Sequence, residues 1–232
     1  MKFTKTLIKG KLIKRYKRFF IDVKLDKEIV TAHCPNTGSM KGLLDEGNEV
    51  FITKNDDPKR KLKYTLEIIK VKKNLIGVNT HFANKIAYHG LSNNLISEVS
   101  NSDSIKPEVF FDKDTRFDFL VEKNKQKIFV EVKNVTLFRD EKIAEFPDSV
   151  TSRGSKHLKT LIEALKKGYK SYLLFLIQIQ GIKSFKIAKD IDKEYYENYL
   201  LAKKAGVVFL AYRCKINSKE IKIEKKIKII NA

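Results

Sequence analysis

The chain has 232 residues, 42% of them hydrophobic, and carries 48 Lys and Arg against 28 Asp and Glu, a net charge of +20. That length supports one large domain or two small ones with a proper core, so neither disulfide nor metal staples are needed, and Cys34 and Cys214 are expected to be buried thiols of a reducing compartment. The basic N-terminal stretch MKFTKTLIKGKLIKRYKR never becomes an uninterrupted apolar run, and the run around Leu173 to Ile177 is too short to cross a bilayer, so a cytoplasmic protein without membrane contact is expected.

From Leu12 to Val78 short strand-like runs alternate with turn signals: FFIDVKL, EIVTAHC, EVFITK, LKYTLEIIKV and LIGVN. Five strands in so few residues predict a small closed barrel, OB-like, over residues 1–82. Residues 83 to 104 read as a weak helical connection and a loop, with the domain boundary near there. Residues 83–232 then give three strand-like runs, EVFF, RFDFLVE and KIFVEVKNVTL, and a helix with Leu158, Leu161, Ile162 and Leu165 on one stripe and Gly168 at its end. The buried strand SYLLFLIQI, a second helix from about Asp192 to Gly206, the strand VVFLAYRC and the alternating tail IKIEKKIKII follow. This order predicts a mixed α+β architecture, a central mixed sheet flanked by helices.

A surplus of positive charge attracts polyanions. Of the basic residues 41 are Lys and 7 Arg, so biased composition accounts equally well for much of it, but residues 1–82 carry 19 basic and 9 acidic residues against 29 and 19 in the much longer remainder. The segment KRYKRFF interleaves Lys14, Arg15, Lys17 and Arg18 with aromatic rings, as a nucleic-acid surface does, with Phe19 or Phe20 expected in the core. The loop NTGSM, with a single glycine, reads as a tight turn.

The run FVEVKNVTL places Glu131 and Lys133 on one face of an apolar strand, opposite Ile128, Val130 and Val132. Thirteen residues earlier, Asp118 stands among Phe117, Phe119 and Leu120, and a hairpin turning near residues 123–126 brings it towards Glu131. Two carboxylates beside an ammonium suit a hard cation: Asp118 and Glu131 for Mg²⁺ or Mn²⁺, with Lys133 orienting or deprotonating water or steadying charge on a phosphate. The competing reading is a plain ion pair on an exposed edge. Glu98 and Glu108 are the candidates for a further acid. In TSRGSKHL, Arg153, Lys156 and His157 stand at a helix start suited to an anion. A hydrolase triad of Ser155, His157 and Asp148 lacks the strand–elbow context of a nucleophilic serine.

The Asp-x12-Glu-x-Lys spacing resembles the PD-(D/E)XK nuclease signature. More specifically, GKLIKRYKRFFIDVKL, HCPNTGSMKGLL, KRKLKYTLE, GVNT, RFDFLV, EVKNVTL, FPDSVTSRGSKHLKTL and AGVVFLAYRC, from residue 10 to 214, resemble in order the sugar fermentation stimulation protein A family. The resemblance implies an OB-like domain followed by a restriction-endonuclease-like domain, and a DNA-binding protein linked by name to regulation of sugar (maltose) metabolism. Asp118, Glu131 and Lys133 carry over as the site, and Arg116 stands beside Asp118 in RFDF as a nucleic-acid contact. The expected partner is DNA, with RNA and a homodimer left open. The expected activity is metal-dependent phosphodiester hydrolysis, and the alternative is a non-catalytic regulatory binder with a vestigial centre.

Overall fold

The structure is a computed structural model that describes residues 1–231. Strands β1 (Ile8–Tyr16), β2 (Phe20–Lys24), β3 (Ile29–His33), β4 (Glu49–Lys54) and β5 (Tyr64–Val71) pair in the cyclic order β1-β2-β3-β5-β4. The parallel contact of β3 with β5, Ala32 opposite Tyr64 and His33 opposite Thr65, closes this five-stranded barrel. Leu12, Ile21, Val23, Val30, Ala32, Val50, Ile52 and Leu66 are buried in it. The barrel is OB-like as expected, but its strand set differs. GKLIKRY supplies the first strand, while the LIGVN run becomes β6 (Asn74–Gly77), paired outside the barrel on β5. Strand β1 escapes a period-two reading because its register shifts between Leu12 and Lys14, and because Gly10 stands at an inward position. A Cβ there would lie 2.5 Å from Val23 Cγ1, so the close approach of β1 and β2 needs glycine.

Helix α1 (Ala83–Ser92) leads to the second unit. There β7 (Ser104–Phe110), β8 (Arg116–Lys123) and β9 (Gln126–Val135) form an antiparallel meander. After β10 (Ile143–Phe146) come α2 (Ser152–Lys166), β11 (Lys170–Ile177), β12 (Ser184–Ile187), α3 (Lys193–Ala205), β13 (Val208–Ile216), β14 (Ile221–Lys226) and β15 (Lys228–Ile229). The main sheet has the order β14-β13-β11-β9-β8-β7, with β9, β11 and β13 parallel. A small parallel sheet, β10-β12-β15, stands beside it. The tail expected as one strand is therefore two, in different sheets, because the Ile227 N–H turns to Ala211 O at 2.8 Å between them.

Helices α2 and α3 start on side-chain caps, Thr151 accepting from Gly154 N and Asp192 from Tyr195 N. Asp192 also accepts from Thr151 N at 2.8 Å, so one buried carboxylate ties both helix starts together. One sheet face carries Phe129, Leu173 and Phe175 in a cluster with Leu158 and Leu161 of α2. The other gathers Val130, Val132, Leu174 and Leu176 with Ile86, Ala87 and Leu91 of α1. Each such fully buried side chain contributes about 1.5–3 kcal/mol.

The two units share one core. The cluster that holds Leu12, Ile21 and Ile52 of the barrel continues into Phe117, Leu158 and Phe175. Strand β6 is stitched to the chain after β11 by Gly77 N to Gln178 O and Gln180 N to Leu75 O, both 2.9 Å. The loop after β3 lies against the sheet unit, where Gly42, at φ 83°, sits so close to Phe138 that a Cβ would reach its carbonyl oxygen at 1.9 Å.

Candidate active site at the splay of two core strands

Strands β8 and β9 pair regularly from Lys123 opposite Gln126 up to Phe119 opposite Val130, and the ladder stops there. Asp118 stands at the fork. Its Oδ2 accepts the Val132 N–H at 2.7 Å, so a side-chain carboxylate takes over a donor at the point where the strands part. Its Oδ1 accepts from Asn84 Nδ2 of α1, also at 2.7 Å. On the neighbouring strand Glu108 lies between Val109 opposite Phe117 and Pro107 opposite Phe119, and it adopts φ 55°. A glutamate in the left-handed region is a strained arrangement of the kind that gathers at functional sites. Asn84 Nδ2 also approaches Glu108 Oε1 at 3.3 Å, so one amide links the two acids.

Glu131 sits on β9 between β8 and β11, only 3% exposed, which disposes of the exposed-edge reading. Lys133 Nζ donates to its Oε1 at 2.8 Å. His157 of α2 reaches the same oxygen through Nδ1. Arg153 Nε donates to His157 Nε2 at 3.3 Å, which leaves the ring proton on Nδ1 to be donated to Glu131. Glu131 Oε2 is buried and has no hydrogen-bond partner in the protein. The fully buried Tyr195 hydroxyl is also unpartnered, and its pKa is raised well above the ordinary value by burial and then by the charge of Glu131.

The two acids are driven apart electrostatically. Burial, and next the charge of Glu131, push Asp118 up to about 6 against the pull of Val132 N–H, Asn84 and Lys133. Burial also acts to raise Glu131, but Lys133 and His157 outweigh it and hold the carboxyl below its ordinary value. Glu131 is thus a fixed anion and Asp118 a carboxyl near its titration point.

The other residues singled out in the sequence fall into two groups. Arg153, Lys156 and His157 lie in the first turns of α2, with His157 in the cluster and Arg153 one bond behind it. Arg116, exposed at the β7–β8 hairpin, pairs with Glu108 at 2.9 Å and stacks over Phe110. Glu98 is elsewhere: its carboxylate is spent on Tyr212 OH at 2.7 Å and Lys226 Nζ at 2.5 Å, beyond β11 on the far strands of the sheet. Of the two further acids, only Glu108 adjoins Asp118. Ser155 Oγ has no partner and His157 is turned to Glu131, so no hydrolase triad forms.

In KRYKRFF the tip of the β1–β2 hairpin has both Lys17 and Arg18 at positive φ. Lys14, Lys17 and Arg18 are exposed. Contrary to expectation neither phenylalanine is in the core: Phe19 is 46% exposed and Phe20 is half-buried, stacked on Tyr16 at 5.5 Å. Arg15 is a clamp. Its guanidinium donates to the carbonyls of Arg18, Asn36 and Gly38 at 2.7–3.1 Å, tying the hairpin to the NTGSM loop. That loop does more than turn. With Arg18 it forms one wall of a cleft of about 340 Å³, whose other wall includes Asn134, Thr136, Asp148 and Thr151. Sequence reasoning missed this cleft, Asn84 and the linking of His157 to Glu131, since no periodicity marks a residue that acts across 26 positions.

The fold and site define a class: an OB-like barrel fused to a restriction-endonuclease-like α/β unit with an acid–acid–lysine cluster where the core strands part. Family models match both units, the SfsA N-terminal OB domain over residues 13–78 and the sugar fermentation stimulation protein RE domain over residues 81–220. A sugar fermentation stimulation protein homolog of Pelagibacter ubique is 87% identical over the full length of both chains. One from Maricaulis maris is 42% identical over 99% of this chain and 98% of its own. A solved structure of Pyrococcus furiosus SfsA in complex with Ca²⁺ superposes with a TM-score of 0.87 at 25% identity, covering 99% of each chain. The chain belongs to the SfsA family. No described helix is long and apolar enough to cross a membrane.

Proposed function

We propose that the protein is a DNA-binding phosphodiesterase that uses a divalent cation, Mg²⁺ or Mn²⁺, at Asp118 and Glu131. The observation that carries this reading is the buried, unpartnered Oε2 of Glu131, a carboxylate close enough for its charge to act on Asp118, with Lys133 Nζ 2.8 Å from the other Glu131 oxygen. A buried carboxylate oxygen without a donor is costly, and a cation is a natural partner for it. Both Asp118 oxygens keep a lone pair beyond their single hydrogen bonds. Among the described residues no three His, Cys, Asp or Glu side chains gather as a metal cage, so two carboxylates, with water, backbone and phosphate oxygens, are the donor set. That composition suits a hard oxygen-seeking ion. The related Pyrococcus furiosus protein was solved in complex with Ca²⁺, an ion of the same preference.

When bound, the cation would polarise a phosphoryl oxygen and lower the pKa of a water. The protein's own part is positional. Asn84 and Val132 N–H fix the Asp118 carboxylate, and His157 and Lys133 fix Glu131 from one side. Lys133, half-buried, brings a positive charge to where a phosphate gains negative charge. The exposed Lys14, Lys17 and Arg18 with Tyr16 and Phe19 offer cations for phosphates and rings for bases. On the second unit Arg116, paired with Glu108, and Lys156 are likewise exposed.

The test is cleavage of single- and double-stranded DNA and RNA with and without Mn²⁺, for wild type, Asp118→Asn and Lys133→Met. Cation-dependent cleavage abolished in both variants, with binding retained, is the expected result. Cleavage unchanged by Lys133→Met would overturn the assignment. Steeply salt-dependent DNA binding with no turnover in any preparation would leave the regulatory binder as the reading.

A further inference from the structure

A second cavity, of about 370 Å³, lies on the barrel where the β4–β5 loop, the end of β3 and the segment entering α1 meet. Its lining carries the cations Lys54 and Arg60 around the β4–β5 loop and Lys85 in the first turn of α1, together with the imidazoles of His33 at the end of β3 and His81 just before α1. Lys5 adds another charge at the rim. Lys5, Lys54, Arg60 and Lys85 make no ion pair among the described residues.

The one acid in the lining does not neutralise them. Glu67, 4% exposed, turns both oxygens to neutral donors, Oε1 to Thr53 and Oε2 to Asn79, each at 2.7 Å. Burial raises its pKa against those two bonds and the nearby charge of Arg60. His33 has its pKa lowered first by burial and then by the nearby Arg60 and His81. A hollow where lysine and arginine outnumber a single buried carboxylate, and where none of them is ion-paired among the described residues, suits an anion. The apolar part of the lining is Phe82, packed edge-on against Phe3 at 6.0 Å, with Lys85 Nζ 6.0 Å from the Phe82 ring centroid.

We propose that this cavity binds one nucleoside phosphate, with Arg60, Lys54 and Lys85 on the phosphoryl oxygens, His33 and His81 as hydrogen-bond partners, and Phe82 and Phe3 as the wall for the base. The volume lies at the lower end of the usual range for small-ligand pockets, as a single nucleotide unit requires. The β4–β5 loop is one of the loops by which OB folds hold oligonucleotides. The segment that lines the cavity also carries Asn84, the residue bonded to Asp118, so occupancy here adjoins the acid cluster. The ligand has two sources, a free mononucleotide or a nucleotide within a single strand, and the second rests on the nucleic-acid reading given above.

The intact chain is titrated with inorganic phosphate, adenosine 5′-monophosphate and a thymidine pentanucleotide without divalent cation, following the His33 and His81 imidazole resonances by NMR and the heat by calorimetry. Adenosine monophosphate or the pentanucleotide is expected to move both imidazoles, and Arg60→Gln and Lys54→Gln are each expected to weaken binding at least about fivefold. Lys54 is exposed, so that variant leaves the fold intact. A response to the mononucleotide alone assigns the free ligand, and one to the pentanucleotide assigns the strand. Still imidazoles with every probe, affinity unchanged in both variants, or inorganic phosphate binding as tightly as the nucleotide would overturn the proposal. These titrations contain no divalent cation and are read at the imidazoles of this cavity, so their outcome does not depend on whether the acid cluster cleaves, and the two readings fail separately.

Discussion

The hairpin tip of the barrel and the fork of the central sheet hold their charges in opposite ways. At the tip, Lys14, Lys17 and Arg18 stand in solvent beside exposed rings, and among the described residues no carboxylate bonds them. At the fork, Glu131, Lys133 and His157 are enclosed and spend their bonds on one another. Exposed charges act by number and are screened by salt, whereas enclosed ones act by geometry and cost several kcal/mol if one partner is lost. On the function proposed above, one chain separates attraction from chemistry by how deeply it buries similar side chains.

The contrast is broken most forcefully at the fork. Lys133→Ala is expected to lower any cation-dependent cleavage by at least about 100-fold, and to cost about 3 kcal/mol in urea unfolding because it strips a buried carboxylate of its ammonium. Arg15 is the next test, since it sits in the hairpin but behaves like the fork. Arg15→Lys keeps the charge and loses the three-carbonyl clamp, so it should destabilise by about 2 kcal/mol while leaving the salt dependence of DNA binding unchanged. Arg18→Gln or Lys17→Gln should do the reverse. Each is expected to reduce the slope of log affinity against log salt by about 0.7–0.9, with thermal stability unmoved.

The smallest effect is on pH. Asp118 titrates near 6 in the fold against an ordinary value of 3.8, so the folded chain binds more protons than the unfolded one between these values. This group therefore removes stability as the pH rises through that window, and the loss persists above it. Asp118→Asn turns an amide NH2 towards Val132 N–H or Asn84 Nδ2, a cost that does not vary with pH, so the prediction is a difference: relative to wild type the variant should gain about 1 kcal/mol between pH 4 and pH 8, measured by denaturant midpoints. A stability difference that is the same at both would mean that the carboxyl is not held at a cost.

Much of this architecture is written locally. The stripe of Leu158 and Leu161, the Asp192 cap and the glycine ends at 168 and 206 mark two helices near their observed bounds, because helix signals are local in sequence. The charged face of β9 is legible for the same reason, since alternation alone separates Glu131 and Lys133 from Val130 and Val132. What escapes is made by distant partners. Strands β10, β12 and β15 are short, and each exists only through parallel neighbours some forty residues away, such as Ile143 opposite Ser184 and Phe185 opposite Ile229. The role of Glu108 is hidden likewise, because a positive φ at a non-glycine residue has no sequence signature, and Asn84 gains meaning only when α1 docks against the fork.

The shared core under the barrel and the sheet has a further consequence. Since Leu12 and Phe117 belong to one apolar cluster, and Gly42 fits against Phe138 with no room for a methyl group, the barrel cannot swing on a tether. The span from the Arg18 tip to the fork at Asp118 is then a fixed length built into the molecule. A polymer touching both ends is measured by it, as an object is measured between the jaws of a caliper.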